Sequence, residues 1–205
     1  MPREIDQNAG ALASLIAEVR ACRVCAHALP LDPRPILQLS SKATILIASQ
    51  APGSRAHATG VPFSDESGDR LREWMQWSKE KFYDEGSVAI VPMGFCYPGR
   101  TNGGDAAPRQ ECARLWRHRL LSLLPAVRLT LLVGSYAQQH VLGPGLITER
   151  VRNFRDYLPD LFPLPHPSWR SRMWERKNPW FGEDTLPALR SAVERARNTQ
   201  SRSIT

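Results

Sequence analysis

Cys22, Cys25, Cys96 and Cys112 are the only cysteines in this 205-residue chain. Two residues separate the first pair and fifteen separate the second, so the thiols arrive as a close pair and two loop-borne singles. Four thiolates close a tetrahedral zinc site or hold a cubane cluster, and softness alone does not separate the two. The competing reading is buried free cysteine. Arg20 and Arg23 stand beside the pair, poor ground for apolar burial, and favour the metal. A second set of candidates is S-Q-A-P-G at 49–53, T-G-V-P-F at 59–63 and H-P-S at 166–168. Pro52 and Gly53 turn the chain sharply, so that backbone amides around Ala51 and the Gln50 side chain face a ligand, and Phe63 supplies a ring to stack on.

These groups need elements to hold them. Leu12, Leu15, Ile16 and Val19 recur at helical spacing and predict an amphipathic helix leading into C-R-V-C at 22–25. The run 43–49 is short, continuous and apolar, as in a strand covered on both faces, and it empties into the Gln50 loop. Ser67 is expected to cap a helix with Leu71, Trp74, Met75 and Ser78 on one side. Residues 88–92 and 129–134 predict two further strands, 161–165 a weaker one interrupted by proline, 110–124 a helix, and Ser135 the cap of another. Strands alternating with helices imply an α/β three-layer sandwich around a central, mostly parallel four-stranded sheet, with the ligand crevice at the strands' carboxyl ends. The loops after Ser49, Pro92 and Pro165 all leave those ends.

With 42% hydrophobic residues the chain supports one domain, taken as 1–198, with 199–205 expected to be a disordered tail. A formal charge of +7 gives a field attractive to polyanions such as nucleic acid. There is no run of 18 apolar residues, and the first ten residues lack the layout of a signal peptide. The expectation is a cytoplasmic monomer with no membrane partner, whose cysteines are not disulfides.

The cysteine pattern, the S-Q-A-P-G and T-G-V-P-F segments and H-P-S together resemble family 4 of the uracil-DNA glycosylase superfamily, over nearly the whole chain. The resemblance implies a 4Fe-4S cluster on Cys22, Cys25, Cys96 and Cys112, with zinc the alternative. It also implies DNA, double- or single-stranded, as the partner. The cluster would pin the loop between the third and fourth cysteines, where Arg100, Arg109 and Arg114 are candidate phosphate contacts. Such an enzyme extrudes a base, stabilises the departing base anion and brings water to an oxocarbenium-like sugar. His166 suits the second task, because an imidazole N–H stabilises a developing oxyanion. Ala51, Pro52, Gly53, Phe63 and Ser168 are candidate substrate contacts, and Trp169 with Arg170 a wedge for the space left by a flipped nucleotide. Trp174, Trp180 and Phe181 read as core.

Two departures from the family pattern bear on chemistry. Gln50 stands where family 4 has glutamate; it can orient water but cannot accept its proton. Asp65, in S-D-E-S-G, is the nearest carboxylate and resembles the water-positioning aspartate of family 5, although it also fits a helix N-terminal charge. Pro92 occupies the position of the asparagine that reads the uracil edge. The expected activity is monofunctional hydrolysis of the N-glycosidic bond of uracil or another deaminated base, carried by Asp65, His166 and Gln50. The alternatives are a weakly catalytic or non-catalytic relative that binds damaged or single-stranded DNA, and a zinc-stabilised α/β enzyme acting on another nucleotide-like substrate.

Overall fold

A computed structural model describes residues 2–102 and 104–198 of the chain. The tail expected at 199–205 lies outside the described residues. Among the described residues six strands form: β1 (Ile45–Ala48), β2 (Val88–Ile90), β3 (Arg100–Thr101), β4 (Gly104–Asp105), β5 (Leu129–Val133) and β6 (Leu161–Leu164). Four of them build one sheet in the order β2-β1-β5-β6, every pairing parallel. β3 and β4 make a separate antiparallel ribbon between the third and fourth cysteines.

The continuous apolar runs are explained by burial on both faces. Ile45, Ile47, Ile90, Leu131 and Val133 join one cluster with Leu71, Trp74, Phe181 and Val193. Leu46, Ala89 and Val91 face the other way, into Leu12, Leu15, Val19 and Leu120. Neighbours in sequence therefore feed opposite sides, and the sheet is the middle of three layers. Each fully buried aliphatic side chain contributes about 1.5–3 kcal/mol of transfer free energy. Proline is tolerated in β6 because that strand lies at the sheet edge, where a missing N–H costs no ladder bond on the open side.

The first helix, Pro2–Arg20, ends where C-R-V-C begins, as its periodicity predicts. The helix expected over 110–124 runs as Gln110–Cys112, a π-helical turn Ala113–Arg117, and His118–Leu121. Two expected caps are corrected. Helix Glu66–Met75 is capped by Asp65, whose carboxylate accepts from Gly68 N–H at 3.1 Å, so Ser67 lies inside the first turn. Gly134, with φ +84°, precedes helix Ser135–Leu142, which has no side-chain cap, because a left-handed residue is needed to turn off the end of β5. Ser78 falls beyond the helix expected to carry it and caps the short helix Lys79–Phe82 instead.

Candidate active site and cysteine cavity

One pocket opens at the carboxyl ends of the strands. Its walls include Ala51, Pro52 and Gly53 after β1, Phe63 and Asp65, Pro92 after β2, Asp105 of β4, and His166 after β6. Residues far apart in sequence meet here because parallel strands deliver their following loops to one edge. Gly53 marks the centre of charge. An ideal Cβ on it would lie 3.3 Å from Oδ2 of Asp105 and 3.5 Å from Oδ2 of Asp65.

Asp65 both caps its helix and lines the pocket. Oδ1 accepts from Gly68 N–H and fixes the side chain, while Oδ2 lies towards Gly53 and the pocket. Phe63, two residues earlier, has φ +53°, a left-handed conformation that bulky side chains rarely adopt. Its surroundings over-determine it: the Phe63 carbonyl accepts from the Tyr83 hydroxyl at 3.0 Å and from the Arg72 guanidinium at 3.3 Å. The ring packs edge-on against Phe82. Gly68 is required beneath it, since a Cβ there would sit 1.8 Å from the Phe63 carbonyl oxygen. Strain held this firmly pre-organises an aromatic face at the pocket.

His166 leaves β6 beside Gly134; a Cβ on that glycine would meet the imidazole at 3.4 Å. The His166 carbonyl accepts from Ser168 N–H at 2.9 Å and from the Ser171 hydroxyl, which sets the backbone. Burial pushes the imidazole pKa below its ordinary value, against the opposing pull of Asp65 and Asp105. The ring is therefore neutral at pH 7 and keeps one N–H to donate and one nitrogen to accept.

Gln50 lies outside the pocket wall. Its Nε2 donates to the Ala106 carbonyl at 2.9 Å, tying the loop after β1 to the loop between the last two cysteines. That bond lands next to Asp105, a carboxylate missed by reading only the Gln50 loop and its continuation. Burial raises the Asp105 pKa, Arg100 lowers it, the Asp65 charge raises it, and His166 lowers it. Asp105 remains exposed as a residue, yet its Oδ2 is turned inward onto Gly53. A signal was available: Asp105 is the lone carboxylate of residues 97–110.

Ser168, Trp169 and Arg170 border the pocket without lining it. Trp169 is 69% exposed with the Arg170 guanidinium over its ring at 5.3 Å, and Arg170 reaches Gly104 of the β3–β4 ribbon. Phe181 is core, and Trp174 and Trp180 pack against the same cluster, as their sequence context predicts. Of the three arginines considered for phosphate contact, Arg109 is engaged by Glu111 and by the Cys25 thiol. Arg100 and Arg114 are at the surface, Arg114 bonded to Gln110.

All four cysteines line a second cavity, with Phe95, Trp116 and prolines 33 and 35 around them. Burial pushes the thiol of Cys96 up to about 11 and that of Cys112 up to about 12. Phe95 N–H donates to the Cys112 sulfur at 3.4 Å. Among the described residues no three His, Cys, Asp or Glu are gathered in the manner of a single-ion site. The donor set, four thiols around one apolar cavity with an amide aimed at a sulfur, fits a thiolate-ligated cluster.

Two carboxylates, an imidazole and an aromatic ring thus line one cleft at the end of a parallel sheet. The chain belongs to the uracil DNA glycosylase superfamily, whose family model matches residues 38–190. It is also similar to the solution NMR structure of a candidate uracil DNA glycosylase from Methanosarcina acetivorans, at 14% identity and TM-score 0.42, covering 75% of this chain and 93% of that one. No helix among the described residues is long and apolar enough to cross a membrane.

Proposed function

We propose that the protein is a monofunctional DNA glycosylase that hydrolyses the N-glycosidic bond of uracil or another deaminated base. The observation that carries this reading is the meeting of Phe63, Asp65 and His166 in one pocket of a superfamily member. An extruded base stacks on the Phe63 ring. The neutral His166 donates its N–H to the base oxygen on which negative charge develops, and Asp65 Oδ2 holds water against the sugar while stabilising its positive charge. Cys22, Cys25, Cys96 and Cys112 would hold a 4Fe-4S cluster, which fixes the loop carrying β3 and β4. Arg100, Arg114, Trp169 and Arg170 face the DNA backbone and the vacated stack.

The test is a panel of oligonucleotides bearing uracil, hypoxanthine, xanthine or 5-hydroxymethyluracil, single- and double-stranded, scored by alkaline scission at abasic sites beside gel-shift binding. Scission of at least one lesion supports the glycosylase. Binding without scission supports the second reading, a DNA-binding relative, which the structural use of Gln50 at the family's glutamate position favours.

A further inference from the structure

The β3–β4 ribbon brings a second carboxylate, that of Asp105, to the pocket. Asp105 sits across Gly53 from Asp65, their Oδ2 atoms both close to one point on that residue. Their other oxygens are not equivalent. Asp65 Oδ1 is committed to the Gly68 N–H, so that only its Oδ2 is turned to the pocket. Among the described residues Asp105 has no such cap, and it sits on a ribbon whose approach is fixed by the neighbouring Gln50–Ala106 bond.

We infer that Asp105, rather than Asp65, accepts the proton of the attacking water, so that this site divides the work between two aspartates. This rests on the glycosylase reading above. In the step, the water oxygen bonds to C1′ and its proton passes to Asp105. The C1′–N bond breaks, its electron pair leaves with the base, and His166 stabilises the resulting anion until solvent protonates it. The products are free base and an abasic sugar, with no change of oxidation state. A carboxylate whose proton affinity is raised by burial and by a neighbouring anion is a stronger base than an ordinary one.

Two features make the assignment separable from a structural role. Asp105 faces Asp65, His166 and Arg100, with Arg170 packed on the adjacent Gly104, and two of these move its proton affinity in opposite directions. Asp65 raises the Asp105 pKa and Arg100 lowers it. The loop is also at the surface, so changing Asp105 does not remove core.

The experiment measures single-turnover base release against pH for the full chain and for Asp105→Asn, Asp65→Asn and Arg100→Ala, with DNA affinity measured in parallel. Asp105→Asn is expected to lower the rate about 10²- to 10⁴-fold at unchanged affinity. The acid limb of the residual activity should move to lower pH in Asp65→Asn and to higher pH in Arg100→Ala. An Asp105→Asn chain that releases base at the parental rate, or acid limbs that stay fixed in both neighbours, overturns the assignment and leaves the glycosylase reading standing. A parental chain that releases no base from any lesion overturns both.

Discussion

Gln50 Nε2 donates a 2.9 Å hydrogen bond to the carbonyl of Ala106, joining the loop after β1 to the loop between Cys96 and Cys112. The bond accounts for an amide at a position where the resembled family has a carboxylate: glutamate has no hydrogen to give. Gln50→Glu therefore sets an anion against a carbonyl. Leaving a part-buried acceptor unpaired costs about 1–3 kcal/mol. The variant should melt several degrees lower and release base more slowly, although it restores the family residue. Equal melting and faster release would show that the bond is dispensable.

Gly68 lies under the Phe63 carbonyl, and a methyl group there would overlap it at 1.8 Å. Gly68→Ala must displace Phe63 from its left-handed conformation or unwind the first turn of helix Glu66–Met75, at a cost of about 1–3 kcal/mol. Affinity for a lesion-bearing oligonucleotide should fall more than affinity for undamaged DNA, because the stacking face moves while the backbone contacts remain. An equal loss for both would place Phe63 outside base recognition.

Pro92 lines the pocket where the family pattern has an edge-reading asparagine, and it offers no side-chain donor or acceptor. Sites that hydrogen-bond a substrate edge reject analogues strongly, and apolar walls do so weakly. The ratio of uracil release to hypoxanthine release should be modest in the parental chain and rise in Pro92→Asn. Strict uracil specificity in the parental chain would assign that task to a backbone amide.

Much of this arrangement was legible in the residues, for identifiable reasons. Runs such as 45–48 and 131–133 are apolar throughout because β1 and β5 are interior strands covered on both faces. The convergence of the Gln50, Asp65 and His166 loops follows from parallel pairing alone. The caps at Asp65 and Gly134 were misplaced by one or two residues, since serine and aspartate compete for the same role and a left-handed glycine substitutes for either. Asp105 was missed because being the lone carboxylate of residues 97–110 does not say where it points: its place in the pocket depends on the turn of the β3–β4 ribbon and on the long-range Gln50–Ala106 bond.

The cysteine cavity yields a direct expectation. Ligation needs thiolates, and the energy of holding a metal group is also folding energy. Cys96→Ser should bleach the protein's visible absorbance, reduce its iron content and lower its melting temperature together. Bleached protein with unchanged melting would contradict a structural role, and a colourless parental protein containing zinc would contradict the cluster.

Affinity for undamaged DNA should fall steeply with salt, as phosphate contacts by Arg100, Arg114 and their neighbours release counterions. A flat response between about 50 and 200 mM salt would point to a small-molecule substrate.

The central claim is that the pocket of Asp65 and His166 cleaves the bond to an extruded base. Chromatographic detection of free base from lesion-bearing DNA, for the parental chain, Asp65→Asn and His166→Ala at matched DNA occupancy, tests it most directly. The account predicts that the parental chain releases base and that each variant does so about 10²- to 10³-fold more slowly while binding DNA with nearly parental affinity. Release at the parental rate by both variants would contradict it.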